Sequence, residues 1–190
     1  PKTWELTKES HLTKFLLVIN KASVLDISAN SFLNIELADI SWNDTSPFSI
    51  HHNDIYASDE GALEESKHVF VNGNNLVQRW KNLSKNSNFI IGELGFGAGL
   101  NFLVTSQKFL KGCAPDSKLH FVSFEKYPLS KNDLIKIHSK YPSLSKESEE
   151  LIKRYPINAK GAHRIELYDN KVSLTLVYGD IKESLEYFDD

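Results

Sequence analysis

The chain is poor in the features that mark most specialised protein classes. It has one cysteine, Cys113, so no intrachain disulfide can form and a reducing, cytoplasmic setting is expected. No apolar run approaches the roughly 20 residues that a membrane span needs. Phe15-Leu16-Leu17-Val18-Ile19 is too short for a signal-peptide core and is not followed by a small-residue cleavage pattern. Positive charge is not in excess: 22 Lys and Arg stand against 25 Asp and Glu, a formal net charge of −3. That balance does not mark a general nucleic-acid binder, which shows a basic patch. Lys126, Lys131, Lys136, Lys140, Lys153, Arg154, Lys160 and Arg164 read as a solvated face. No nucleophile elbow or Ser-His-Asp order is present, so hydrolase chemistry has no support. His51 and His52 are adjacent and would point to opposite faces of a strand, so no metal centre is expected.

What remains is an ordinary soluble composition, 41% hydrophobic and 25% charged over 190 residues, enough for one sizeable core. Within it, Phe89-Ile90-Ile91-Gly92-Glu93-Leu94 is a short apolar strand that ends in an acid. Gly95, Gly97 and Gly99 then alternate, and Leu100, Phe102, Leu103 and Val104 start a helix with a buried face. Strand, glycine turn and helix in that order form a cofactor cradle, because glycine lets the backbone approach a ligand and the helix start offers free N–H groups. The spacing is G-x-G-x-G, whereas a dinucleotide loop reads G-x-G-x-x-G. Glu93 would repel a pyrophosphate and attract a sulfonium or ammonium. This E-x-G-x-G-x-G form resembles motif I of the class I S-adenosylmethionine-dependent methyltransferases.

About thirty residues on, one βαβ unit later, Leu119-His120-Phe121-Val122-Ser123-Phe124 forms a second strand candidate tipped by Glu125. An acid there accepts ribose hydroxyls in doubly wound sheets. A third, Val172 to Tyr178, leads into Gly179-Asp180-Ile181; a Gly-Asp at that point resembles the methyltransferase position that takes the adenine amino group. Lys126 and Ile181 would flank the adenosine.

The remaining pattern predicts a hairpin from Ile35–Trp42 and Pro47–Ile50 with Asn43-Asp44 as its turn. A helix is expected over Leu63–Phe70, with Ser58 or Asp59 as cap, and another over Leu76–Leu83. Further helices are expected over Leu100–Leu110, over Asn132–Ser139 after Ser130 as cap, and over Ser145–Arg154. Arg164–Tyr168 and Lys171–Leu176 should pair around Asp169-Asn170.

Several runs narrow the resemblance. They are Asp54-Ile55-Tyr56-Ala57-Ser58, Gly61 to Phe70, Asn72-Gly73-Asn74-Asn75-Leu76, Glu93 to Leu103 and Phe121 to Leu129. In that order they are similar to the methyltransferase domain of the bacterial bifunctional tRNA 5-methylaminomethyl-2-thiouridine biosynthesis family. The resemblance runs from about Ile35 to Phe188 and leaves residues 1–34 unassigned.

The resemblance implies an α/β, Rossmann-like fold: a β-hairpin and helical lead-in over 35–88, then a partial S-adenosylmethionine-binding domain over 89–190. It implies tRNA as partner, methylation of the aminomethyl group of a wobble uridine, and a flavin-dependent domain elsewhere in the family's proteins. Cofactor contacts are expected at Glu93, Gly95, Gly97, Gly99, Asn101, Glu125, Lys126, Asp180 and Ile181. Tyr56 is expected either at cofactor or substrate or in the core; Glu64 and Glu65 either line a substrate pocket or favour a helix start. The family's catalytic acid would follow Asp190, so no catalytic residue is assigned and the chain alone is expected to be inactive. Two alternatives stay open: a nicotinamide-dependent oxidoreductase, and a fragment that binds without turnover.

Overall fold

The structure is a computed structural model that describes residues 35–43, 46–50, 54–56, 61–114 and 116–186. The His51-His52-Asn53 run, the proposed caps Ser58 and Asp59, the turn residue Asp44 and residues 1–34 lie outside the described residues.

The chain opens with three short antiparallel strands, β1 (Ile40–Asn43), β2 (Ser46–Ser49) and β3 (Asp54–Ile55), in that order across a small sheet. The hairpin is as expected, but β1 starts at Ile40 rather than Ile35 and takes in Asn43, read from the sequence as turn, which pairs with Ser46; β3 is an addition. Residues 35–39 run alongside the main domain instead, where the Ala38 N–H donates to the Pro128 carbonyl at 3.0 Å. Lys136 Nζ sits 3.5 Å from the centre of the Trp42 ring, a second tie between the small sheet and the body.

The helix expected over Leu63–Phe70 is corrected by the structure. A short α1 (Gly61–Glu65) passes into a π-helical turn over Ser66–Asn72. The wider winding closes on the Gly73 N–H, which reaches back five residues to the His68 carbonyl at 2.9 Å. It lets Val71 enter the core while Val69 stays exposed. Asn75, in the left-handed region at φ 50°, then starts α2 (Leu76–Lys81).

The main sheet has four strands: β4 (Asn88–Leu94), β5 (Lys118–Glu125), β6 (Gly161–Leu167) and β7 (Val172–Tyr178), in the order β4-β5-β7-β6. The first three in that order are parallel and β6 is antiparallel to β7. Between them run α3 (Leu100–Gly112), α4 (Lys131–His138) and α5 (Ser145–Arg154), and α6 (Ile181–Glu186) follows β7. Ser130 caps α4, its Oγ accepting the Asp133 N–H at 3.1 Å. Tyr168 leaves its strand to join Asp169 and Asn170 in the β6–β7 turn, all three at positive φ. Lys171 lies in the turn as well rather than in the second strand, so the turn read from the sequence as two residues is four residues long, Tyr168 to Lys171.

Register places Phe89, Ile91 and Glu93 beside Leu119, Phe121 and Ser123, and these beside Val172, Leu174 and Leu176. Side chains alternate along a strand, so all of these share one face. That face carries the core, against which Phe102, Leu103 and Phe109 of α3 and Trp80 of α2 are fully buried. Trp80 meets Phe109 edge-on at 5.4 Å, and Phe102 meets Phe121 edge-on at 5.3 Å. On the opposite face Ile90 and Leu94 are exposed. The parallel pairing sets the carboxyl ends of β4, β5 and β7 side by side.

Candidate cofactor site

The turn from β4 into α3 runs through Gly95, Gly97 and Gly99 at φ 83°, 52° and 71°, where L side chains are strained. At Gly99 a Cβ would also lie 2.6 Å from Cζ of the Phe96 ring, so glycine is needed there for space as well as for conformation. A Cβ at Gly95 would meet nothing within 4 Å and would project into open space. The Gly95 and Phe96 N–H groups donate to the Phe124 carbonyl at 2.9 and 3.2 Å, tying the loop to the end of β5.

Glu125, at the tip of β5, continues that tie. Its Oε2 accepts the Gly97 N–H at 2.7 Å and its Oε1 accepts the Tyr127 N–H at 2.9 Å. The carboxylate is nearly buried, yet each oxygen keeps further acceptor capacity.

Glu93 lies beneath the loop and is 7% exposed. Its Oε2 accepts from Ser123 Oγ at 2.7 Å, and its Oε1 from Asn101 Nδ2 at 3.0 Å. Burial pushes its pKa up to about 7, against the opposing pull of those two hydrogen bonds; the Glu125 charge adds to the rise. Ser123 was not picked out from the sequence. Only the strand register reveals it, by setting Ser123 beside Glu93.

Two clefts open on this frame. One of about 300 Å³ lies over the glycine loop, between Gly95–Asn101 and a wall of Tyr56, Ala62, Glu65, Ser66, Val69 and Phe70. The other, about 290 Å³, is lined by Leu94, Phe124, Glu125, Lys126, Gly179, Asp180 and Ile181. Tyr56, Gly95 and Gly97 belong to both. The structure therefore gathers Gly95, Gly97, Gly99 and Asn101 at one end and Glu125, Lys126, Asp180 and Ile181 at the other. Tyr56 reaches its place because β3 delivers it, its N–H held by the Pro47 carbonyl at 2.9 Å. Glu65 lines the loop-side cleft, whereas Glu64 is exposed and pairs with Lys67 at 2.7 Å.

Asp180 starts α6, where its Oδ1 accepts the Lys182 N–H at 3.0 Å; its Oδ2 lies 3.0 Å from Lys126 Nζ. The Lys126 hydrogen bond holds its pKa below the usual aspartate value. Deeper, burial pushes the Tyr155 pKa up to about 12 against the opposing pull of its Tyr178 neighbour, and pushes Tyr178 higher still, with Tyr155 adding to that rise. Among the described residues no group of three or more His, Cys, Asp or Glu side chains could hold a metal ion. No described helix is long and apolar enough to cross a membrane.

No family model matches the chain. Among curated proteins it is 44% identical over 160 residues to the tRNA 5-methylaminomethyl-2-thiouridine biosynthesis bifunctional protein MnmC of Legionella pneumophila (strain Corby), covering 83% of this chain. The same-named protein of Vibrio cholerae serotype O1 (strain M66-2) is 44% identical over 158 residues, 80% of this chain. The chain belongs to the MnmC family, matching one part of it. It spans about a quarter of the length of these relatives, 24% and 23% respectively. Among solved structures, MNMC2 from Aquifex aeolicus superposes with a TM-score of 0.56 at 20% identity, over 82% of this chain and 45% of that one. That likeness is one of fold. The fold is α/β and Rossmann-like, of the methyltransferase kind, as the sequence motifs led us to expect.

Proposed function

We propose that this chain binds S-adenosylmethionine across the two joined clefts and serves methyl transfer to the aminomethyl group of a wobble 5-aminomethyl-2-thiouridine in tRNA. The observation that carries the reading is that two adjacent parallel strands, β4 and β5, bring Glu93 and Glu125 to a glycine loop at positive φ that lines both clefts.

In this reading the amino-acid end of the cofactor lies over the loop. Asn101 faces it, and the Glu93 carboxylate stands behind Asn101 as the countercharge to an ammonium. The adenosine end lies in the second cleft, where Glu125 has spare acceptor capacity for ribose hydroxyls and Asp180 accepts from an adenine amino group. Ile181 and Leu94 supply apolar walls. Binding there would draw Asp180 partly away from Lys126, an exposed pair of little intrinsic worth.

The bound sulfonium supplies an electrophilic methyl and a neutral leaving group. What the chain must contribute is position: a rigid loop that holds the methyl donor and a wall, formed by Tyr56, Glu65 and Phe70, that leaves a path for an amine. Glu93 would favour the cationic donor over a pyrophosphate, which sets this reading above a nicotinamide enzyme; Glu125, a ribose acceptor in either case, does not separate the two. The names of the MnmC relatives support tRNA as the substrate.

The test is methyl incorporation into tRNA bearing 5-aminomethyl-2-thiouridine. It is run with this chain alone and with the chain joined to the segment that follows the matching region in the Legionella relative. Transfer by the joined protein, lost in Glu125→Ala, is the expected result. Intact cofactor binding with no transfer in the joined protein contradicts the tRNA reading.

A further inference from the structure

His138 has no place in the cofactor clefts, yet it touches the glycine loop. It is the last residue of α4, 4% exposed, and its Nε2 lies 2.7 Å from the carbonyl oxygen of Ala98, the residue between Gly97 and Gly99. Its Nδ1 lies 2.8 Å from Oγ of Ser148 on α5. Ala98 and Ser148 are buried too, at 4% and 5% exposed.

The chemistry of these partners fixes the ring. A carbonyl oxygen can only accept, so Nε2 carries the proton; in the neutral ring Nδ1 then accepts from the Ser148 hydroxyl. Burial favours that neutral form, holding the pKa below the ordinary histidine value.

The bond acts on a single peptide plane. In a trans peptide the C=O and N–H point in opposite directions. Pinning the Ala98 carbonyl toward α4 therefore turns the Gly99 N–H the other way, where it donates to the Phe96 carbonyl at 2.8 Å. That peptide leads into Gly99, the N-cap of α3, whose left-handed φ of 71° and missing Cβ leave the plane free to turn on that side. Earlier planes of the loop are held from the β5 side, where the Gly95 and Phe96 N–H groups donate to the Phe124 carbonyl and the Gly97 N–H to Glu125. Only His138, from α4, holds this one by its oxygen among the hydrogen bonds described.

We propose that His138 is a positioning residue: Ser148 orients its ring, and its Nε2–H locks the Ala98–Gly99 peptide so that the loop is already in its binding shape before a ligand arrives. A loop that must be ordered on binding loses affinity by that cost. The inference rests on the reading of the loop as a cofactor cradle, but the lock itself exists in the free protein.

The experiment compares wild type, His138→Leu and His138→Gln by backbone amide exchange of Gly97 and Gly99 in the free protein and by S-adenosylhomocysteine affinity. Leu fills the space without a donor; Gln returns an amide N–H for Ala98 and an oxygen for Ser148. The expected result is exchange at Gly99 roughly ten-fold faster in His138→Leu, with core amides such as Phe121 unchanged, and about ten-fold weaker binding. His138→Gln should recover most of both. If His138→Leu fails to fold, Ser148→Ala takes its place and should move both readouts the same way by a smaller factor. Unchanged loop exchange overturns the proposal, as does unchanged affinity in a protein that binds. So does a Gln variant as impaired as Leu, since shape and not the N–H would then be what counts. Wild type that shows the lock by exchange but binds no S-adenosylhomocysteine would defeat the cofactor reading and leave the lock standing.

Discussion

Glu93 and Asn101, eight residues apart and on opposite sides of the glycine loop, are joined by a hydrogen bond of 3.0 Å. A buried carboxylate thus stands directly behind an amide that lines the cleft, and the sequence spacing E-x-G-x-G-x-G-x-N has a physical meaning. The acid is kept from water, behind the Asn101 amide.

This burial predicts a pH dependence. Glu93 has a folded pKa of about 7 against 4.5 ordinarily, so the folded protein retains a proton that the unfolded chain releases between those values. Stability from this group is complete below about 4.5, falls as pH rises through the window, and is lost above about 7. At roughly 1.4 kcal/mol per pKa unit, the fall is about 3 kcal/mol at most. Denaturant titrations at pH 5 and pH 8 should show it in wild type and show much less in Glu93→Gln. Identical pH profiles would mean that Glu93 is ionised throughout.

The three loop glycines should separate by stability. Gly99→Ala must displace the Phe96 ring as well as adopt a positive φ, whereas Gly95→Ala and Gly97→Ala meet no contact closer than 3.8 Å. A left-handed alanine costs about 1–2 kcal/mol, so the latter two should melt a few degrees low and Gly99→Ala clearly lower. All three should weaken cofactor binding. A Gly99→Ala protein as stable as Gly95→Ala would show that Phe96 yields freely.

Glu125→Ala removes the acceptor for the Gly97 and Tyr127 N–H groups as well as the proposed ribose acceptor. Charge-assisted hydrogen bonds are worth about 1.5–3 kcal/mol each, so calorimetry should show cofactor affinity reduced on the order of ten- to hundred-fold. Asp180→Ala, which loses one adenine contact, should show a smaller reduction. The reverse order would place the adenosine elsewhere.

Much of this was legible in the residues. The β4 and β5 runs are bounded by glycine and acid, Ser130 is a cap with its acid three residues on, and α5 occupies the Ser145–Arg154 span read from the pattern. The parts that escaped depend on partners distant in sequence. The π-helical turn at Ser66–Asn72 is a matter of which residues α3 draws into the core, and an apolar pattern of one helix serves either winding. The strand β3 is two residues long and exists through Phe48 and Ile55 pairing. Ser123 and His138 read as a strand serine and a helix-end histidine until register and packing bring them to Glu93 and Ala98.

The central claim is that the clefts around the glycine loop take S-adenosylmethionine, and isothermal titration of the purified chain tests it most directly. S-Adenosylmethionine and S-adenosylhomocysteine should each bind at one site per chain, with NAD giving no heat above dilution, and Glu125→Ala should weaken both. Binding of NAD in preference to either, or equal affinity in wild type and Glu125→Ala, would contradict the account.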